Sequence, residues 1–392
     1  MDLSSVPWYD HHAHAVFSEE FWRRGGIEPY FSEATDPQIL STHTPHNLFF
    51  RRSVRDLAEF YGCEAERSAV ETARRRWDYL ELNRAMFGAS NISALLIDDG
   101  IWRGRLWTVA ESAARLPVPV GRILRIETEL EDLLPQSRTA AELLDALEAL
   151  LRREAPGLSG LKSILAYRTG LEIQTHAQAE VDRAFETAQR DRAAGHTRLN
   201  LKPLLDTALR RSLTVAHDTG LPVQFHIGYG DPDLDLRLAN PLHLRPIFED
   251  PELRGLNVVL LHCYPYVREA GYLAAVYPGA WLDLGLSVPH LSVDGMRRAV
   301  HEALHLAPVS KVLLSTDAQR TPELFWLACR WGRRVLGQVL GETVQNGDLS
   351  AAEADWAATR LLHGNAEDLY PVGRLSVPTL HPGPSVQGAQ HD

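Results

Sequence analysis

The chain has 392 residues, 45% hydrophobic and 23% charged, the composition of a globular protein that buries a sizeable core. Its formal charge of −11, from 40 basic and 51 acidic residues, leaves no basic footprint for nucleic acid, and no apolar run reaches the roughly 18–20 residues of a membrane helix. The opening "MDLSSVPWYD" lacks a signal-peptide pattern, and Cys63, Cys263 and Cys329 are too scattered for a disulfide framework, so a reduced, cytoplasmic enzyme is expected.

Eight short apolar runs follow in order, at 6–10, 92–100, 121–128, 158–167, 221–228, 256–263, 280–286 and 310–318. Each is rich in Val, Ile and Leu, as a strand buried on both faces should be. After the first comes a long excursion, 18–91, with helical patterns at 53–62 and 65–86. Residues 139–154, "TAAELLDALEALLRRE", open on a threonine cap and repeat leucine at helical spacing. A helix-rich stretch, 176–219, precedes the fifth run, and 268–279 reads as a helix stopped by Pro278 and Gly279. Strand and helix alternating eight times predict parallel pairing through right-handed crossovers. The fold class expected is α/β, a (β/α)8 TIM barrel of roughly 250 residues before insertions, with helical insertions after strand 1 and before strand 5. No G-x-G-x-x-G turn follows any run, which argues against an open doubly wound sheet. One barrel domain is expected over 1–374, followed by a Pro/Gly-rich, flexible tail at 375–392.

The polar residues at the ends of these runs carry the chemistry. "VPWYDHHAHAVF" (6–17) holds three histidines. Side chains two apart in a strand share a face, so His12 and His14 face one way and His11 the other. That geometry suits two imidazoles on one metal ion, although H-x-H alone is a weak signal. Three later runs also close on a ligand-type residue: His226 in "PVQFHIG", His262 in "VVLLHC" and Asp317 in "VLLSTD". Barrel active sites gather at the carboxyl ends of strands, and a polar group is costly to bury there unless paired or metal-bound. Each residue alone has an ordinary structural reading, a histidine bonded to backbone or an aspartate capping a helix. Four such strand ends in order are hard to explain by packing.

That series, with "DHHAH", "LKSILAYRTGL", "FHIGYGD", "LLHCYP", "LLSTDA" and "LLHGNAEDLY", resembles the amidohydrolase superfamily in its family 2 branch. It is similar to the hydrolase-like domain of nodulin/FluG-type proteins, through most of 6–370. The resemblance implies a metal-dependent hydrolase acting on a small amide, lactone or related C–N or C–O bond. It implies His12, His14, His226 and Asp317 as ligands of a divalent ion, Zn²⁺ first, with Mn²⁺, Fe²⁺ or Ni²⁺ open to the same donors. Asp317 would also carry the proton of the attacking water, and His262 would polarise a carbonyl or stabilise the oxyanion.

Four residues are candidates for holding substrate. Lys162 is either a bridging carboxylated lysine or a member of a buried charge pair, deep in the fourth strand. Arg168, at the mouth, would fork onto a substrate carboxylate or pair with a loop acid. Glu127, at the end of the third strand, would face the pocket or cap a helix. Tyr264 stands beside His262. Asp10 is expected to be structural and Cys263 to pack away from the site. The principal alternative activity is a metal-dependent non-oxidative decarboxylase, whose ligand set would be similar; a sugar isomerase is disfavoured by the sixth-strand His262. A non-catalytic barrel would have lost ligands, and none is missing. The expected partners are a small-molecule substrate and further copies in a homo-oligomer, with no nucleic acid and no membrane.

Overall fold

The computed structural model describes residues 1–371, 375 and 376. Eight strands are present: β1 (Trp8–Ala13), β2 (Ile92–Asp98), β3 (Val120–Arg125), β4 (Gly160–Ser163), β5 (Val223–His226), β6 (Val258–Leu261), β7 (Ala280–Asp283) and β8 (Val312–Leu313). Each pairs in parallel with the next, in sequence order. The sheet curls until the segments after β8 and β1 meet: His14 N donates to Ala318 O at 2.8 Å and Asp317 N to His12 O at 3.1 Å. The architecture is TIM-barrel-like.

Two apolar layers follow from the alternation of side chains along each strand. Ala94, Leu96, Val259 and Leu261 point inward and are closed at one end by Ala366, Leu369 and Tyr370. Leu95, Ile97, Val258 and Leu260 point outward against the helices. Helix Ala140–Glu154 begins where its cap predicts, with Thr139 accepting from Glu142 N.

From β2 onward the strands are shorter at their carboxyl ends than the apolar runs suggest, whereas β1 runs on past its run to Ala13. β4 stops at Ser163 rather than at 167, and β8 has two residues rather than nine. The residues just beyond, such as Ile227, Leu284 and Leu314, are buried loop residues, so hydrophobicity does not drop where the ladder ends. In the 18–91 stretch, helices span Leu48–Tyr61, Arg67–Arg76 and Tyr79–Ser90; the 65–86 pattern is broken by Asp78, which caps the third. Of the expected tail, Leu375 and Ser376 are described and Ser376 bridges antiparallel to Val120; residues 377–392 lie outside the described residues. No helix among the described residues is long and apolar enough to cross a membrane.

The 18–91 stretch is tied to the barrel by a buried ion pair. Arg74 donates to Glu323 at the start of helix Pro322–Asn346 and to Thr321 Oγ1 at 3.1 Å, while its guanidinium lies 4.1 Å from the Trp22 ring centre. Tyr61 Oη donates to the same carboxylate at 2.8 Å. Removing one member of such a pair leaves a buried, uncompensated charge. Glu323→Ala is therefore expected to destabilise the fold by about 3–5 kcal/mol, seen as a lower urea midpoint at unchanged slope. An unchanged midpoint would show that the pair has no net weight.

Candidate metal centre

Three side chains converge where the ends of β1 and β8 meet. His12 Nε2 lies 3.1 Å from Asp317 Oδ1, and His14 Nε2 lies 3.7 Å from the same oxygen. One ligand atom from each of the three sits within 4.8 Å of the others. Among the described residues, His12 Nε2 and Asp317 Oδ1 are buried without a hydrogen-bond partner despite their proximity, an arrangement that burial penalises unless a cation joins them.

The second ring nitrogens fix which lone pairs face the group. His14 Nδ1 bonds the Asp98 carbonyl at 2.9 Å. A carbonyl only accepts, so Nδ1 carries the proton and Nε2 offers its lone pair. His12 Nδ1 bonds Gln224 Oε1 at 2.8 Å, while Gln224 Nε2 donates to the His11 carbonyl and to Tyr370 Oη, both at 2.8 Å. His12 Nε2 is left bare in the same way. Two imidazole lone pairs and one carboxylate oxygen suit a divalent ion of the Zn²⁺ type.

His262 is prepared for a different task. Leu286 N donates to its Nδ1 at 3.3 Å, which puts the proton on Nε2, 3.7 Å from Asp317 Oδ2. It faces the group as a donor. Both His262 and Asp317 have left-handed backbones, φ 70° and 48°, a conformation costing on the order of 1–3 kcal/mol for non-glycine residues and typical of functional positions. Asp283 holds that backbone, accepting from His262 N at 3.1 Å, Gly285 N at 2.9 Å and Ser315 N at 2.8 Å. Asp10 accepts from Thr316 N at 2.9 Å and so steadies the residue before Asp317.

Burial dominates the electrostatics. It holds His12, His226 and His262 well below the usual imidazole range, reinforced by Lys162 for His12 and His226 and by His226 for His262. It lowers His14 to about 4, with Asp98 opposing. It also raises the Asp317 carboxyl well above its ordinary value, against the pull of Lys162. Lys162 itself is pushed down to about 8 by burial.

The cavity in front of these groups has a volume of about 170 Å³. Lys162, Arg168, His226 and His262 line it, along with Tyr167, Arg125 and Glu33, which the sequence did not single out. Lys162 is not deep in the strand: β4 ends one residue later, so its side chain reaches the cavity. Among the described residues it has no ion-pair partner within 4.0 Å; Arg125 instead takes Asp98, with Nε–Oδ2 at 3.0 Å. Arg168 lines the mouth while pairing with Glu131 at 3.0 Å, so one arm is held by an acid of helix Ile126–Leu133.

Two expectations need correction. Glu127 does not face the cavity: β3 ends at Arg125, and Glu127 lies in the first turn of helix Ile126–Leu133, accepting from Ser163 Oγ at 2.6 Å. Tyr264 lines a neighbouring cavity instead. His226 adjoins the group, with its ring 4.8 Å from that of His262, but it is not among the three clustered ligands, and its Nε2 meets the Tyr229 carbonyl at 3.1 Å. His11 leaves the group, yet it stays inside the barrel, stacked on Tyr370 and 3.1 Å from Asp283. The register irregularity between Asp10 and Ala13 defeats strict alternation there. Gln224 was detectable in principle, as a polar residue two before His226 in an apolar strand; Asp283 had the same signal in "AWLDLGL".

A histidine whose folded pKa is depressed binds fewer protons than the unfolded chain between the two values. Its contribution to stability is present above about pH 6.5 and is lost as pH falls toward about 4. In the metal-free protein, wild type should lose about 3 kcal/mol relative to His14→Asn between those limits, measured as paired urea midpoints at each pH. A difference that does not change with pH would contradict the assignment of a buried, neutral His14.

Comparison with known proteins follows the same lines. The amidohydrolase family profile matches residues 139–372. Protein fluG of Emericella nidulans is 31% identical over 411 aligned residues, covering 94% of this chain and 46% of that protein, so the chain spans about half the length of this curated relative. A provisionally named metal-dependent hydrolase from Lactobacillus casei superposes with a TM-score of 0.83 at 31% identity, over 94% of this chain and 97% of that one. A uronate isomerase from Thermotoga maritima shares the fold, with a TM-score of 0.66 at 14% identity over 94% and 95% of the two chains. From its family match, which covers well over half its length, the chain belongs to the amidohydrolase family.

Proposed function

We propose that this protein is a metal-dependent hydrolase that cleaves a C–N or C–O bond of a small amide, lactone or related substrate. One observation carries the reading: two bare imidazole lone pairs converge on an unpartnered, buried carboxylate oxygen beside a small cavity. His12, His14 and Asp317 would hold the ion, with His226 alongside as the fourth candidate. Zn²⁺ suits these donors best, and Mn²⁺, Fe²⁺ or Ni²⁺ fit the same types. When bound, such an ion supplies Lewis acidity and brings the pKa of a water toward about 7.

Hydrolysis adds the oxygen of water to the carbonyl carbon, breaks the C–N or C–O bond, and moves one proton from the water to the departing atom. Asp317 is the carrier for that proton. Its Oδ1 faces His12 and His14 while Oδ2 lies 3.7 Å from His262 Nε2, so the side chain stands where a proton can be taken from the water and returned to the departing atom. His262 is neutral and presents Nε2–H, so it donates to the carbonyl oxygen as negative charge develops. Lys162 and Arg168 give the cavity wall a positive side, which favours a substrate with an anionic group.

A matched panel of small amides, lactones and carboxylic acids, offered to the metal-loaded protein, tests this reading. Hydrolysis of an amide or lactone is expected, with Asp317→Asn slower by at least about 100-fold. His12→Ala should lose bound metal. Release of CO₂ without hydrolysis would instead identify a decarboxylase, and a wild-type protein that binds no metal would favour a non-catalytic barrel.

A further inference from the structure

A second cavity, of about 250 Å³, opens beside the metal cavity, between Phe31 and Phe49 on one side and Tyr229, Tyr264 and His290 on the other. Glu33 lines both. The walls are aromatic: the Phe49 and His290 rings are 4.5 Å apart, and Tyr229 meets Tyr264 edge-to-face at 5.8 Å. Tyr264 is 40% exposed at the rim, where its ring is available to a ligand.

Glu33 is unusual among the acids near the site. Its Oε1 is buried without a hydrogen-bond partner, and His290 Nε2, at 3.7 Å, is too far to donate. Arg320 does not satisfy it. That guanidinium lies 4.7 Å from the Trp102 ring centre and 5.6 Å from that of Tyr30, and it forms no ion pair with Glu33 within 4.0 Å among the described residues. A buried carboxylate oxygen on a residue that lines both cavities calls for a donor from a ligand. Aromatic walls with edge-to-face geometry call for another ring. Neither cavity alone reaches the roughly 300–1,000 Å³ typical of small-molecule sites, whereas the two together do.

We propose that the substrate is a bipartite amide: its hydrolysed half occupies the metal cavity, and a flat aromatic amine, the departing half, occupies the second cavity, with Glu33 accepting a hydrogen bond from the amide N–H that joins them. This inference rests on the hydrolase reading above. It makes Glu33 and Tyr264 specificity residues for the leaving group, outside the metal ligands.

The leaving half can be tested alone, by calorimetric titration of the metal-loaded protein with benzylamine and, for comparison, methylamine. Benzylamine should bind saturably in the millimolar range and methylamine at least tenfold more weakly. Glu33→Gln and Tyr264→Ala should each weaken benzylamine about tenfold; both positions are partly exposed, so the variants keep the test open even if one folds poorly. Equal binding of the two amines, no saturation with benzylamine, or wild-type affinity in both variants would overturn the proposal. Metal content of the same samples separates the two readings. Metal bound without benzylamine binding removes only the second subsite, whereas benzylamine bound without metal leaves the subsite standing and removes the hydrolase reading.

Discussion

The buried carboxylate of Asp283 is the interaction on which the site depends. It lies at the end of β7, fully buried, and accepts from the main chain at His262, Gly285 and Ser315 and from the Ser315 hydroxyl at 3.1 Å. Oδ1, which takes Ser315 N, also stands 3.1 Å from His11 Nε2 of β1. One side chain therefore links β1, the turn after β6, its own turn and the segment after β8. These are the places that supply His12, His14, His262 and Asp317. A carboxylate that accepts several N–H bonds in a dry interior is held tightly, which explains how His262 can keep a left-handed backbone that its side chain disfavours.

Around that clamp, each catalytic candidate is aimed by a neutral partner. The Asp98 carbonyl and Gln224 Oε1 take the Nδ1 protons of His14 and His12, and Leu286 N occupies Nδ1 of His262. Two rings thus present lone pairs and one presents a proton, although all three are the same residue type in the same dry pocket. Asp98 has a second role, because its carboxylate is taken by Arg125 and held at about 2, burial opposing and Arg125 pulling it down. Among the described residues that leaves Lys162 with no ion pair within 4.0 Å, its ammonium lining the cavity wall.

Much of this was legible in the residues. Four apolar runs closing on His or Asp located the carboxyl end of the barrel, and the eightfold alternation of strand and helix pointed to parallel pairing in chain order. The boundaries were not legible, because buried loops carry the same Leu and Ile as the strands they follow; Lys162 looked deep only because β4 looked long. Glu127 was misplaced for the same reason, since β3 ends before it. His226 differs from His12 and His14 in its hydrogen-bond partner, which spacing does not reveal. Contacts between distant segments were likewise out of reach: Glu33 of the 18–91 stretch meets the cavity through tertiary packing that no local pattern encodes.

The central claim is that His12, His14 and Asp317 share one divalent ion. Anomalous X-ray diffraction from crystals of the metal-loaded protein tests it directly. The account predicts a single strong peak at about 2.0–2.2 Å from His12 Nε2, His14 Nε2 and an Asp317 oxygen. A peak bound elsewhere, or well-ordered crystals of active protein with no peak at these three atoms, would contradict it.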